Sequence, residues 1–112
     1  MAIVECQLGD GTTPKGELPV LRLGAPLDFN LAEDEVKRVP LGVTFNVPVL
    51  LLECDYARSQ GLELVNKATL VLPGQEVEAH VKCLAASIPI DRGSTVAVVV
   101  ALTSNQDVFT IV

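Results

Sequence analysis

Apolar and polar positions alternate most clearly in residues 71–102. Within 77–86, Val77, Ala79, Val81 and Cys83 fall on one side, while Glu76, Glu78, His80 and Lys82 fall on the other. A period of two predicts a half-buried strand. Residues 95–102 read Thr-Val-Ala-Val-Val-Val-Ala-Leu, small or β-branched almost throughout and without charge. That composition predicts a strand buried on both faces. A turn signal precedes each run, Pro73-Gly74 and then Asp91-Arg92-Gly93. The short link Ser87-Ile88-Pro89-Ile90 between them predicts a compact fold with frequent corners.

The same reading extends along the chain. Residues 2–8 place Ile3, Cys6 and Leu8 in imperfect alternation and predict a first strand at a sheet edge. Gly9 to Gly16 is turn-rich, and Leu18-Pro19-Val20-Leu21 reads as extended. Leu27, Phe29 and Leu31 are expected to point inward. The acidic residues 32–35 predict a loop or a single helical turn. A short strand over 36–39 is expected to stop at Pro40, and another over 43–47 to be interrupted by Pro48. Residues 49–52 resume as an apolar strand, residues 56–61 read as a turn, and 62–72 hold one or two strands. Residues 107–112 predict a last strand. No helical period exceeds two turns, so the fold class expected is all-β, a single domain over 1–112 with about ten short strands.

Composition narrows the function classes. A chain of 112 residues that is 49% hydrophobic buries a core without staples. With 4% aromatics and no Trp, that core is aliphatic. A net charge of −6 and no basic cluster beyond Lys37-Arg38 argue against nucleic-acid binding. No apolar run approaches the ~20 residues of a membrane-spanning helix, and no secretion signal opens the chain. Three well-separated cysteines, Cys6, Cys54 and Cys83, match no metal-ligand spacing and predict free thiols in a reducing compartment.

Several strings together resemble the trimeric dUTPase family over most of the chain. Leu18-Pro19-Val20 followed by Ala25-Pro26-Leu27-Asp28-Phe29-Asn30-Leu31-Ala32 is similar to that family's opening. Val39-Pro40-Leu41-Gly42-Val43 is similar to its Val-Pro-Thr-Gly turn, and Arg58-Ser59-Gln60-Gly61-Leu62 to its Arg-Ser-Gly-Leu segment with one residue added. Leu64-Val65-Asn66 with Leu70-Val71, and Arg92-Gly93-Ser94-Thr95-Val96-Ala97, follow in the family's order. The resemblance implies a β-clip or jelly-roll-like barrel and a homotrimer.

It also implies an altered site. The family's water-orienting carboxylate has Leu72 in its place, its sugar-reading Tyr has Gln75, and the Gln of its fourth motif has Val98. The chain reaches Val112 without the family's glycine-rich arm. The expectation is therefore that the protein is not an enzyme and carries no catalytic, cofactor or metal site. Arg58 and Ser59 remain as a vestigial phosphate contact. His80, the single histidine, is expected on the solvated face of its strand, and Glu33-Asp34-Glu35 in a solvated loop.

With hydrolysis set aside, the resemblance of class and size to phage head decoration proteins implies a capsid cement protein. It would be a homotrimer on the virion surface, made in the host cytoplasm, with the major capsid protein as partner. Ile3, Val4, Cys6, Leu8, Phe109, Ile111 and Val112 are the candidate docking residues. The alternative is a catalytically inactive dUTPase-like viral regulator that binds host proteins through its C-terminal Thr110-Ile111-Val112.

Overall fold

The computed structural model describes residues 3–84, 86–103 and 107–112. The expected strand start at Ala2 and the run's Ala85 therefore lie outside the described residues.

Period-two segments become strands throughout. The order is β1 (Ile3–Leu8), β2 (Lys15–Glu17), β3 (Val20–Gly24), β4 (Phe29–Leu31), β5 (Val36–Phe45) and β6 (Val49–Leu52). A one-turn helix α1 (Asp55–Ser59) follows, then β7 (Leu62–Leu64), β8 (Thr69–Val71), β9 (Glu76–Cys83), β10 (Ile88–Ile90), β11 (Thr95–Ala101) and β12 (Val108–Ile111). Two five-stranded sheets form, ordered β12-β1-β5-β9-β7 and β2-β3-β11-β6-β8, with β10 and β4 paired separately. Among the described residues the chain is all-β apart from α1, as expected.

The inner faces of both sheets supply one core. Val77, Ala79, Val81 and Cys83 on β9 are all fully buried, and so are Leu21 and Leu23 on β3 and Val49 and Leu51 on β6. Phe29 and Phe45 add the aromatic bulk, and no polar side chain is buried among the described residues. All three cysteines are buried and none is in a disulfide among the described residues, and burial pushes the Cys6 thiol up to about 11.

Five expectations change. First, β11 is buried on one face, not both: Ala97, Val99 and Ala101 point inward, while Val98 and Val100 stay half exposed. Second, β5 does not stop at Pro40 but continues to Phe45. Pro40 is tolerated there because β5 pairs only with β9 at that point, β1 having paired with Val43, Thr44 and Phe45 alone. Third, β1 is no edge strand, because β12 pairs along its other side in parallel. Fourth, Leu27 is exposed while Phe29 and Leu31 are buried. Fifth, part of the expected turn at 56–61 is the helix α1, anchored by buried Ala57 and ended at Gly61 with φ 92°.

The β5 bend rests on glycine. Gly42 has φ 69°, and its carbonyl accepts the N–H groups of Gly9 at 2.8 Å and Gly11 at 3.2 Å. A Cβ on Gly42 would stand 2.3 Å from the Gly11 nitrogen. The ladder register slips here, between Pro40 and Thr44, which lets one long strand serve β9 first and β1 afterwards.

Two asparagines extend the ladders with side-chain amides. Asn46 Nδ2 donates to the Ile3 carbonyl at 2.9 Å, and its Oδ1 accepts from the Glu5 N–H at 2.7 Å. Asn66 Nδ2 donates to the Glu78 carbonyl at 2.9 Å and its Oδ1 accepts from the His80 N–H at 2.9 Å, in a partly buried setting. Removing the Asn66 amide strands a donor and an acceptor away from water, while Asn46 is better solvated. Urea unfolding is therefore expected to show Asn66→Ala losing about 2 kcal/mol and Asn46→Ala about 1 kcal/mol or less. Equal losses would contradict this account of the clamps.

Candidate functional site

The corner between β6 and α1 concentrates charge. Glu53 follows β6 directly, and its carboxylate links Leu64 of β7 to Arg58 on the helix. Its Oε2 accepts the N–H of Leu64 at 3.0 Å, and both oxygens accept from Arg58 Nη1, at 3.0 and 3.2 Å. The Glu53 side chain is 16% exposed, the Arg58 side chain 48%. Burial alone would push the Glu53 carboxyl above its ordinary value of 4.5. The Leu64 N–H, the hydrogen bond and charge of Arg58, and the charge of Lys67 together outweigh burial and hold it lower. Ser59 Oγ donates to the Tyr56 carbonyl at 2.6 Å. The two residues of the expected phosphate contact thus sit together on α1, each with a local partner. The remaining guanidinium nitrogens of Arg58 make no hydrogen bond with another described residue, and the side chain is half exposed.

The turn between β8 and β9 holds two of the other family positions. Gln75 closes it twice: its N–H donates to the Leu72 carbonyl at 3.1 Å, and its Oε1 accepts the Leu72 N–H at 3.1 Å. Gly74, at φ 81°, donates its N–H to the Phe45 carbonyl at 2.9 Å and so pins the turn to β5. Leu72 is exposed beside it. A cavity of about 380 Å³ adjoins the turn, lined by Glu5, Gln7, Thr44, Asn46, Pro73 and Val112 among others. Val98 stands on the outer face of β11, opposite Arg22 on one side and Leu52 on the other. Asp28, in the Ala-Pro-Leu-Asp string, accepts the N–H of Arg92 at 2.6 Å, and Arg92 Nε donates to the Pro26 carbonyl at 3.0 Å. That clasp ties the first resemblance string to the last. His80 Nε2 lies 2.6 Å from Glu78 Oε1 on the solvated face of β9.

The candidate docking residues divide. Val4 and Cys6 are 0% exposed and pack in the core, so neither docks a partner. Leu8 and Phe109 are partly buried against the same core. Ile3, Ile111 and Val112 are exposed. β1 has no free edge to offer, because β12 and β5 occupy both of its sides. The edge strand beside β1 is β12, and even Val112 gives its N–H to the Cys6 carbonyl at 2.9 Å. Alternation showed which residues of 2–8 share a side; it did not show that a strand far along the chain closes that edge. The residues that sequence reasoning missed, Glu53 and the Asn46 amide, act on backbone from other strands, as does the amide of Asn66, which the resemblance strings named without a role. No local pattern marks them.

The two facing sheets and these corners define a dUTPase-like β-clip fold. The chain superposes on the dUTPase of Streptococcus mutans with a TM-score of 0.74 at 19% identity, covering 86% of this chain and 92% of that one. It superposes on the EIAV dUTPase with a TM-score of 0.71 at 18% identity, covering 92% and 90%. The dUTPase of Staphylococcus bacteriophage 80alpha gives 0.73 at 11% identity, with 92% of each chain covered. No family model and no curated protein matches the sequence.

These neighbours correct the expectation that the protein is not an enzyme, since dUTPases are enzymes. The physical reason is that chemistry lives in the placement of groups, and a fold can fill the same place from different positions in the chain. Leu72, Gln75 and Val98 record that particular letters differ. They do not remove the carboxylates of Asp55 and Glu53 or the guanidinium of Arg58 from the β6–α1 corner.

The Glu53 corner makes a pH prediction. Its folded-state pKa lies below the 4.5 of the unfolded chain. Its contribution to stability is therefore fully present above about pH 4.5 and is lost as pH falls through the lower folded value. The stability difference between wild type and Glu53→Gln should be largest near neutrality and shrink on acidification, read by urea unfolding at about pH 7, 5 and 3. A difference that grew on acidification would contradict the assignment.

Proposed function

We propose that the chain is a homotrimeric nucleotide-directed protein of the dUTPase type that takes dUTP or a closely related deoxynucleoside triphosphate. The observation that carries the reading is the likeness along nearly the whole chain to dUTPases, among them a bacteriophage 80alpha dUTPase mutant solved with dUpNHpp, with a TM-score of 0.75 at 11% identity. Arg58 supports it, with guanidinium nitrogens free to meet a phosphate. Asp55 in the first turn of α1 is the nearest exposed carboxylate in sequence for handling water. Pyrophosphate release from dUTP above a buffer control is the expected result, with Arg58→Ala reducing kcat/KM about tenfold. No release, together with no effect of dUTP on thermal stability, would overturn the reading.

Self-association is supported by an apolar row across the outer face of the second sheet. Val20 pairs with Val100, Val100 with Leu50, and Leu50 with Leu70, so four strands place apolar side chains side by side with no charge among them. Val20 and Leu70 are exposed. A second row adds Val98 and Leu52 beside Arg22. Such a patch on a chain of net charge −6 suits a contact between copies, where apolar surface meets apolar surface.

The exposed apolar side chains Val108, Ile111 and Val112 at the β12 end favour a second role for the same trimer. They suit docking to a viral capsid shell as a decoration protein of a bacteriophage virion, with the major capsid protein as partner. Binding to a host protein through the C-terminus is the other outcome of that test. Sedimentation is expected to give a trimer at micromolar concentration, Val100→Glu a monomer, and the wild-type trimer should co-sediment with phage shells. A wild-type monomer would contradict the self-association reading; failure to pellet with shells would contradict the docking role alone.

A further inference from the structure

A second cavity lies away from the β8–β9 turn and is lined in part by α1, the helix that also carries Arg58 and Ser59. It opens between α1 and the corner joining β10 to β11, with a volume of about 310 Å³. Ala57, Leu62, Ile90 and Val96 give it an apolar, buried floor. Its rim carries polar side chains: Tyr56 and Gln60 from α1, and Asp91, Ser94 and Thr95 from the turn before β11. None of these rim side chains hydrogen-bonds or ion-pairs with another described residue.

The rim is held in place by its backbone. The Ser94 N–H donates to the Asp91 carbonyl at 3.0 Å, the Gly93 N–H to the Ala25 carbonyl at 2.9 Å, and the Ala25 N–H to the Ser94 carbonyl at 2.9 Å. Across the cavity, the Gln60 N–H is bonded to the carbonyls of Tyr56 and Ala57. Polar side chains with free hydrogen-bonding capacity therefore converge on a preformed apolar floor, the usual make-up of a small-molecule site.

Charge narrows the ligand. Asp91 is the one ionic group in the lining. No cation is among the lining residues: the neighbouring Arg92 sends its Nε to the Pro26 carbonyl, and Arg58, though on α1, is not part of the lining. An anion, including any phosphate, meets an unneutralised carboxylate here. A flat cation meets a carboxylate for its N–H edge, an exposed tyrosine ring at the rim and apolar walls for its body. We propose that this cavity binds a small planar cation, an aromatic or heteroaromatic ring bearing an amidine-type or amine-type donor edge, with Asp91 as its ionic partner. The proposal does not depend on the nucleotide reading.

Benzamidine is the matching probe, with benzoate and benzamide as its anionic and neutral counterparts. Titration into the full-length ¹⁵N-labelled chain, followed by amide chemical shifts, is expected to show saturable movement confined to residues around 56–62 and 88–96. For so small a ligand the expected dissociation constant is about 1 mM. Benzamide should bind more weakly and benzoate not at all. Asp91→Asn keeps the backbone acceptor of the turn and should weaken benzamidine about tenfold, and Tyr56→Ala should weaken it severalfold. Both positions are exposed, and unchanged amide spectra elsewhere would confirm that each variant folds. No saturable benzamidine binding, benzoate binding as tight as benzamidine, or an unaltered affinity in Asp91→Asn would each overturn the proposal.

Discussion

The structure depends on two sheets meeting through small aliphatic side chains. With few aromatics to fill space, the core is built from small aliphatic side chains: Val77, Ala79, Val81 and Cys83 on β9 and Ala97 and Val99 on β11 are all fully buried in one cluster. Burial of this kind gives each buried Val or Leu side chain about 1.5–3 kcal/mol relative to exposure, and each Ala less. Everything else answers to that constraint. Gly42 bends β5 so that one strand can serve two neighbours, and the Asn46 and Asn66 amides complete ladders where the backbone departs. The Asp28–Arg92 clasp fixes the corner beside β11.

The same constraint divides the surface into working regions. Because the core uses only the inner face of each sheet, the outer face of β3, β11, β6 and β8 keeps its own apolar row from Val20 to Leu70. The β6–α1 corner pairs Glu53 with Arg58 and leaves the guanidinium half exposed. One cavity adjoins the β8–β9 turn and another is lined by α1 and the turn before β11. An exposed apolar row, a charged corner and a cavity with a single carboxylate thus come from one plan.

Much of the fold was legible because local pattern and burial agree. The alternation of residues 77–83 gave β9 its inward row, and Phe29 and Leu31 gave β4 its own. The resemblance strings led to a dUTPase-like fold that the structural neighbours share. Pattern failed where the deciding neighbour is distant. Nothing near Ile3 reveals that β12 returns beside it, so Val4 and Cys6 looked available for docking when they lie in the core. The uncharged run at 95–101 read as buried on both faces, whereas Val98 and Val100 stay half exposed. Glu53 carried no motif, because its partners Leu64 and Arg58 meet it only after the chain has turned through α1. The inference from Leu72, Gln75 and Val98 to an inactive protein went too far for a related reason: letters at motif positions do not describe which groups the fold assembles.

The central claim is that this dUTPase-like fold receives a deoxynucleoside triphosphate. Calorimetric titration with dUpNHpp, the analogue present in one of the structures this chain superposes on, tests it most directly. The account predicts saturable binding with one analogue per chain, weakened in Arg58→Ala. Absence of any binding heat across several temperatures, with no protection of the chain against thermal unfolding by the analogue, would contradict it.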